Sequence, residues 1–194
     1  MRNTLIALSL GLLCSLAFAE DKAPPHAYLE FETSMGNFVV ELNGKESPKT
    51  VVHFLKLADS GYFDGTIFHR VRPGHVVQGG GHTPDLKPTD PVDKVVNESG
   101  NGMANFRGTI AMARGNDPHS ADSQFYINLV DNVHLEPDKK LFGGRWGYTV
   151  FGQVIEGMET IDKIATVETT SVNTMDDVPV EPVILRSVTR YTFE

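Results

Sequence analysis

The sequence predicts a mainly β fold, namely a closed eight-stranded antiparallel barrel capped by two α-helices. Short runs of β-branched and aromatic residues recur between turn residues along most of the chain, which is typical of a barrel or sandwich. Only two stretches have apolar residues at helical spacing. Because these two helices do not alternate regularly with the strands, a doubly wound parallel sheet is not expected.

The first residues have the features of a cleaved secretory signal. Arg2 supplies a positive charge, residues 5–18 form an apolar stretch, and small residues precede a cleavage point before Glu20. The apolar stretch is shorter than the roughly 20 residues that a membrane-spanning helix requires. We therefore expect a signal peptide over residues 1–19 and a soluble protein exported to the periplasm.

The remaining chain is expected to form a single domain. Residues 20–26 include two adjacent prolines and predict a disordered lead-in, so the folded domain would span 27–194. Cys14 is the only cysteine and lies in the signal, but a chain of this length can build one core without disulfides.

The net charge limits the partners. The formal charge of −8 becomes −9 once Arg2 is removed with the signal. An acidic chain without a basic patch is not expected to bind nucleic acid, or an anionic membrane surface after cleavage.

The first elements after the lead-in are a hairpin and a helix. Extended runs at 28–31 and 38–42 flank a good turn sequence at 34–37, which predicts an antiparallel hairpin. Ser47, followed by a proline, is then expected to cap the start of a helix through its hydroxyl. Gly61 is suited to the left-handed position that ends it.

A second hairpin lies at the centre of the sequence. Runs at 67–71 and 75–78 flank Pro73 and Gly74, the pair that suits the middle of a type II turn. The first run is predicted to be one continuous strand.

Alternation along this hairpin brings polar and apolar side chains together. A period of two places Phe68 and Arg70 on one face of the first strand, and Val76 and Gln78 on one face of the second. If the two faces coincide, a fixed cation and an amide lie beside apolar walls.

The rest of the chain supplies further strands and one more helix. Residues 81–108 are rich in proline, aspartate, asparagine and glycine and predict a long loop, a type that is often functional. A second helix is expected after Gly157. The remaining strands are predicted at 109–113, 124–128, 149–154 and 183–193.

Five blocks of sequence resemble the cyclophilins, which are peptidyl-prolyl cis-trans isomerases, and specifically the exported bacterial type. The resemblance covers nearly all of the chain after the signal. The blocks are Phe68-His69-Arg70-Val71 with Pro73-Gly74, Val77-Gln78-Gly79-Gly80-Gly81, residues 107–114, residues 123–128, and residues 148–152 followed by Gly157-Met158.

The resemblance implies an isomerase that binds proline-containing extended polypeptides in a surface groove, assists the folding of exported proteins, and works as a monomer without metal or cofactor. Arg70 is implied as the catalytic cation and Gln78 as the group that holds the substrate backbone. The full set of implied substrate-binding residues is Phe68, His75, Val76, Gln78, Ala113, Arg114, Gln124, Tyr126, His134, Leu135 and Tyr148.

The chemistry of the reaction agrees with a cationic site. Amide resonance gives the X–Pro bond a rotation barrier of about 18–20 kcal/mol, so uncatalysed exchange is slow. Twisting the bond localises the lone pair on the proline nitrogen. A guanidinium near that nitrogen, or bonded to the proline carbonyl, therefore favours the twisted state over both planar states. Such a positioned donor is worth about 3–4 kcal/mol.

Several groove positions depart from the usual cyclophilin residues. His75 replaces a phenylalanine, Val76 a common methionine, and Tyr126 a phenylalanine, so a smaller and more polar pocket is expected. His134 stands where drug-sensitive members have tryptophan and bacterial members often phenylalanine, which implies weak cyclosporin binding. His82 also replaces a usual phenylalanine.

Three interpretations of these departures remain open. The first is an active isomerase with altered preference for the residue before proline, or a reduced rate. The second is a proline-peptide-binding or chaperone-like module with little catalysis, because of His75, Val76 and His134. The third is a metal site, disfavoured by the absence of helical i, i+4 histidine pairs and of cysteine, built from His69, His75, His82, His119 and His134.

Overall fold

The computed structural model of the chain describes residues 22–138 and 144–193. The expected signal peptide lies outside them. In the described part of the expected lead-in, Ala23 packs against the core, and the Pro25 carbonyl accepts a hydrogen bond of 3.0 Å from the Gly44 N–H. The first strand starts at His26. Ordered contacts thus begin a few residues earlier than the sequence indicated.

The described elements are eleven strands, two α-helices and a short 3-10 helix, Val133–Leu135. The helices are α1 (Pro48–Asp59) and α2 (Met158–Ile164). The strands are β1 (His26–Thr33), β2 (Gly36–Asn43), β3 (Ile67–Phe68), β4 (Arg70–Arg72), β5 (Val76–Gly79), β6 (Thr109–Met112), β7 (Phe125–Asn128), β8 (Val150–Glu156), β9 (Thr169–Val172), β10 (Met175–Pro179) and β11 (Val183–Arg190).

Nine of these strands form one antiparallel sheet in the order β3-β11-β1-β2-β8-β6-β7-β5-β4. Its two outer strands, β3 and β4, are separated in the chain only by His69. When they are counted as one interrupted strand, the described sheet has eight strands and nearly closes into a barrel. The predicted mainly β barrel with two helices is therefore confirmed.

The interruption at His69 corrects the prediction of one continuous strand over 67–71. Phe68 pairs with Val183 of β11, whereas Arg70 pairs with Gln78 of β5. The two halves belong to opposite ends of the sheet, so alternation does not continue through His69 and Phe68 does not share a face with Arg70. Phe68 is completely buried in the core.

The core is an aromatic cluster between the barrel wall and α1. Phe54 of α1 lies at its centre, with ring centroids 4.9 Å from Phe63, 5.0 Å from Phe151 and 5.6 Å from Phe125. The second helix, α2, places Ile161 in the same core. This packing makes the barrel a rigid support for the residues on its outer surface.

The start of α1 differs from the prediction. Ser47 is its N-cap residue but makes no capping hydrogen bond, because its hydroxyl donates to the Val150 carbonyl at 2.8 Å. The Glu98 carboxylate accepts the backbone N–H groups of Lys49 at 3.2 Å and Thr50 at 2.9 Å instead. An acidic group at this end also suits the helix dipole. At the other end Gly61 has φ +71°, as predicted.

A small hairpin of β9 and β10 escaped the sequence analysis. Its register shifts between Met175 and Val178, so that the strand bulges at Asp176 and Asp177. The hairpin packs beside β4, which carries Arg70. Within the described ranges, no helix is long and apolar enough to cross a membrane.

Candidate active site

Strand register places the central residues of the site in one row. Arg70 of β4 pairs with Gln78 of β5, Gln78 pairs with Tyr126 of β7, and Tyr126 pairs with Ala111 of β6. Side chains of directly paired residues project from the same face of a sheet. The turn that starts this arrangement is as predicted, since Gly74 has φ +70° and the His75 N–H donates to the Arg72 carbonyl at 3.0 Å.

A cavity of about 200 Å³ lies at this row. It contains nine of the twelve residues that the sequence analysis assigned to the site. They are Arg70, His75, Val76, Gln78, Ala113, Arg114, Tyr126, Leu135 and Tyr148. The structure therefore brings together residues from strands and loops that are far apart in the chain.

The other three predicted residues lie elsewhere. Gln124 lines a neighbouring cavity of about 260 Å³ and accepts a hydrogen bond of 3.1 Å from the Gln78 amide. His134 is exposed and stacks on His75, with ring centroids 5.4 Å apart. Phe68 faces the barrel core, so its expected place on the groove is wrong for the reason given above.

The apolar wall of the cavity is a small cluster separate from the main core. Val76, Ala111, Tyr126 and Val150 are buried in it, and Leu135 packs against them. Met103, from the long loop, also contacts this cluster, and nothing in the local sequence singled it out. A rigid apolar wall of this kind suits a proline ring.

The hydroxyl group of Tyr126 does not make the wall polar, contrary to expectation. It donates a hydrogen bond of 2.7 Å to the side-chain oxygen of Asn105, which is 1% exposed. Burial, followed by the nearby Tyr148 and Glu136, raises the pKa of Tyr126 well above 10. The hydroxyl is therefore neutral and already paired.

Arg114 closes one side of the cavity. Its guanidinium donates to the carbonyls of Trp146 at 2.9 Å and Gly147 at 3.2 Å. It also lies 4.6 Å from the centre of the Tyr148 ring, a cation–π distance. The described part of the segment 143–147 thus holds this arginine against the groove.

Arg70 lies between the 200 Å³ cavity and the β9–β10 hairpin. Its side chain is 31% exposed, and its Nε atom is 3.5 Å from the Asp177 carboxylate. Sequence reasoning missed Asp177, because no local pattern indicated that the hairpin exists or that it packs beside β4.

A scan of family models matches residues 28–190 to the cyclophilin type peptidyl-prolyl cis-trans isomerase/CLD family. The chain belongs to this family. Its resemblance to cyclophilins therefore extends over almost all of the described residues.

Curated relatives support the assignment at substantial identity. This cyclophilin is 49% identical over 159 residues to "Peptidyl-prolyl cis-trans isomerase cyp18" of Streptomyces antibioticus, covering 82% of this chain and 95% of the relative. It is 40% identical over 188 residues to "Peptidyl-prolyl cis-trans isomerase A" of Dickeya dadantii, and the match covers 96% of this chain and 97% of the relative. It is 44% identical over 159 residues to "Peptidyl-prolyl cis-trans isomerase B" of Escherichia coli, and the match covers 82% of this chain and 96% of the relative.

Solved structures show the same fold. A cyclophilin type peptidyl-prolyl cis-trans isomerase of Cryptosporidium parvum aligns with a TM-score of 0.74 at 24% identity, covering 87% of this chain and 99% of that one. The strand order described above is thus the cyclophilin barrel.

The histidines that set this cyclophilin apart fall into separate places. His75 stacks on His134, the rings of His69 and His82 lie 4.3 Å apart, and His119 contacts Trp146. Among residues 22–138 and 144–193, no group of three or more potential metal-ligating side chains is close enough to hold an ion. The structure therefore does not assemble the five-histidine metal site considered above.

Two of these histidines have pKa values shifted toward the neutral form. Burial lowers the pKa of His75, and the charges of Arg70, His134 and Arg72 lower it further, while Asp177 acts in the opposite direction. Burial, assisted by His82 and Arg70, lowers the pKa of His69 to about 3. Both rings are neutral at pH 7, so the cations of the cavity are its two arginines, Arg70 and Arg114. Arg70 is the one whose strand pairs directly with Gln78.

Proposed function

We propose that this cyclophilin catalyses the cis-trans isomerisation of X–Pro bonds in exported polypeptides, with Arg70 as the catalytic cation and Gln78 as the group that binds the substrate backbone. The observation that carries the proposal is the pairing of these two residues across β4 and β5, beside a cavity with an apolar wall. A cation, an amide and a proline-sized apolar space are the parts that this reaction requires.

The reaction needs binding of a twisted bond rather than covalent chemistry. The proline ring would occupy the cavity against Val76, Tyr126 and Leu135, which holds one side of the X–Pro bond while the chain on the other side rotates. Arg70 would then donate to the proline carbonyl or lie near the proline nitrogen, whose lone pair becomes localised in the twisted state. Because this interaction is stronger in the twisted state than in either planar state, it lowers the barrier.

The direct test is an Arg70→Ala variant of the chain starting at Glu20. Isomerisation of a proline-containing peptide should fall about 10²–10³-fold in kcat/KM, the usual effect of removing one preorganised donor. The matched control is Arg72→Ala, since Arg72 lies on the same strand but does not line the cavity. The kcat/KM of this control should stay within about twofold of that of the unchanged protein.

The possible outcomes separate the interpretations. Equal rates for the unchanged protein and Arg70→Ala would exclude the catalytic role of Arg70. Absence of any rate above background in both proteins, with peptide binding retained, would favour the binding module. The comparisons favour the isomerase, because the matching relatives carry that name.

The export part of the proposal rests on residues 1–19. Their charge, apolar stretch and small residues before Glu20 favour cleavage and release into the periplasm. Expression of the full chain in a Gram-negative host should yield a periplasmic protein whose mass corresponds to a start at Glu20. A cytoplasmic protein of full mass would contradict this part and leave the isomerase proposal untouched.

Two further expectations come from the resemblance to cyclophilins. We expect weak cyclosporin binding, since His134 offers a smaller, exposed ring without the indole of tryptophan. Nanomolar affinity by calorimetry would contradict this expectation. We also expect a monomer, which sedimentation of the chain starting at Glu20 would test.

A further inference from the structure

Arg70 has an acidic partner, Asp177, on the side away from the substrate cavity. The Asp177 carboxylate approaches its Nε atom at 3.5 Å, and the two side chains are 31% and 32% exposed. Among the described residues the structure gives Arg70 no other ion pair. The contact engages Nε, so the ion pair does not occupy the two terminal Nη groups of the guanidinium.

The backbone around Asp177 is shaped to make this contact. Asp177 has φ +61°, a left-handed conformation in which aspartate is enriched but most residues are disfavoured. It lies in the bulge where the register of β9 and β10 shifts. The neighbouring Asp176 instead accepts a hydrogen bond of 2.6 Å from the Ser171 hydroxyl, within the hairpin itself. Two adjacent carboxylates therefore serve two different partners.

The contact lies at a boundary between two cavities. Arg70 lines the proline-sized cavity and also a second cavity of about 700 Å³ at the hairpin. Asp177 lines only the second of these. Without a partner, a long and partly exposed arginine side chain samples both spaces. Asp177 restricts the guanidinium from behind while remaining outside the substrate cavity.

We infer that Asp177 is a positioning residue, which orients the Arg70 guanidinium for the twisted X–Pro bond and thereby sets kcat. The inference rests on the proposed function of Arg70. An exposed ion pair adds little to stability, but a small displacement of a catalytic group has a large effect on rate. Orientation of the cation, rather than folding energy, is therefore the main consequence of this contact.

The test uses variants that change the carboxylate without straining the backbone. Asp177→Gly removes the side chain and tolerates the positive φ, and should lower kcat about 3–10-fold with KM within about twofold. Asp177→Asn tolerates the same φ and keeps an oxygen that can accept from Nε, so it should recover at least half of the lost kcat. Asp176→Gly is the matched control. Its kcat should remain within about 1.5-fold of that of the unchanged protein, because the Asp176 carboxylate that it removes contacts Ser171 and not Arg70.

A double-mutant cycle separates positioning from a general structural effect. In an Arg70→Ala background, Asp177→Gly should change kcat by less than about 1.5-fold, because no guanidinium remains to be oriented. The inference is overturned if Asp177→Gly alone leaves kcat unchanged, or if Asp176→Gly lowers kcat by the same factor. It is also overturned if Asp177→Asn recovers none of the lost kcat, or if Asp177→Gly lowers kcat equally in the Arg70→Ala background. A normal rate for Arg70→Ala itself would overturn the proposed function, so the two failures are distinguishable.

Discussion

Individual side chains decide how this groove differs from that of a typical cyclophilin. His75 and Val76 belong to the cavity wall, and His134 covers His75 from outside. Tyr126 differs from the expected phenylalanine only at a hydroxyl that is buried on Asn105. The unusual chemistry of the cavity is therefore concentrated at His75.

The pH dependence of activity should report on His75. Its pKa is lowered from 6.5 by burial and by the charges of Arg70, His134 and Arg72, against Asp177, so the ring is neutral at pH 7 and gains a proton only below its ordinary range. A cation in the cavity would be poorly solvated and would repel Arg70, so kcat/KM should be constant above pH 6.5 and fall as the pH is lowered below that value. The rate should be measured with a peptide that has no titrating group.

A His75→Phe variant is the control for this effect. Phenylalanine cannot titrate, and its profile should be flat over the same pH range. Its kcat/KM at pH 7 should equal or exceed that of the unchanged protein, because a phenyl ring fills the apolar wall better. Parallel pH profiles of the two proteins would show that His75 is not the titrating group.

Tyr126→Phe should affect stability more than activity. The hydroxyl donates to Asn105 and is buried away from the substrate, and Asn105 also accepts a contact of 3.3 Å from the Asn128 amide. Losing the hydroxyl should lower the free energy of unfolding by about 1 kcal/mol, measured by urea denaturation. The kcat/KM should stay within about twofold. A fivefold change would mean that the hydroxyl takes part in substrate binding.

At the scale of elements, the long loop 81–108 completes structures that lie far from it in the chain. Its Glu98 carboxylate caps α1, its Met103 contacts the groove wall, and its Asn105 receives the Tyr126 hydroxyl. The β9–β10 hairpin does the same for Arg70 through Asp177. In both cases irregular or short elements supply the contacts that the regular barrel strands lack.

Removing the Glu98 cap should destabilise the protein measurably. Glu98→Ala leaves the N–H groups of Lys49 and Thr50 without their acceptor and should lower the free energy of unfolding by about 1–2 kcal/mol. The matched control is Glu46→Ala, since Glu46 makes a 3.9 Å ion pair with the exposed Lys45 and should contribute little. Equal losses in the two variants, measured by denaturation, would contradict the capping role.

At the scale of the whole molecule, the barrel closes where β3 and β4 meet at His69. This residue is 4% exposed, and its Nδ1 has no hydrogen-bond partner among residues 22–138 and 144–193. The pKa of His69 is lowered to about 3, mainly by burial, while His82 beside it also has a lowered pKa. The imidazoles at the closure are therefore both neutral at pH 7.

The stability of the folded chain should consequently fall with acidification. A group whose pKa is lower in the folded state contributes fully above its unfolded value of about 6.5, and this contribution is lost progressively as pH falls from there toward 3. The free energy of unfolding, measured by urea denaturation, should decline between pH 6 and pH 5 in the unchanged protein. In His69→Gln this decline should be smaller by about 1 kcal/mol. Identical slopes in the two proteins would contradict the neutral buried state of His69.

Patterns in the sequence were enough to predict the barrel class, the two helices and the Pro73-Gly74 turn, whereas the groove residues were implied by the resemblance to cyclophilins. These features follow from rules that act over a few residues, such as the φ preference of Gly74 and Gly61 and the periodicity of apolar positions. The resemblance to cyclophilins then assigned Arg70 and Gln78, and the structure pairs them across one hairpin.

The partners of the remaining groups depend on the way the chain folds as a whole. Phe68 turns into the core because β3 and β4 join opposite ends of the sheet, Ser47 loses its capping role to Glu98, and Asp177 reaches Arg70 from a bulge. Each of these contacts joins residues brought together by barrel closure or loop packing. Local propensity contains no information on such distant partners, because their positions depend on how the whole sheet closes.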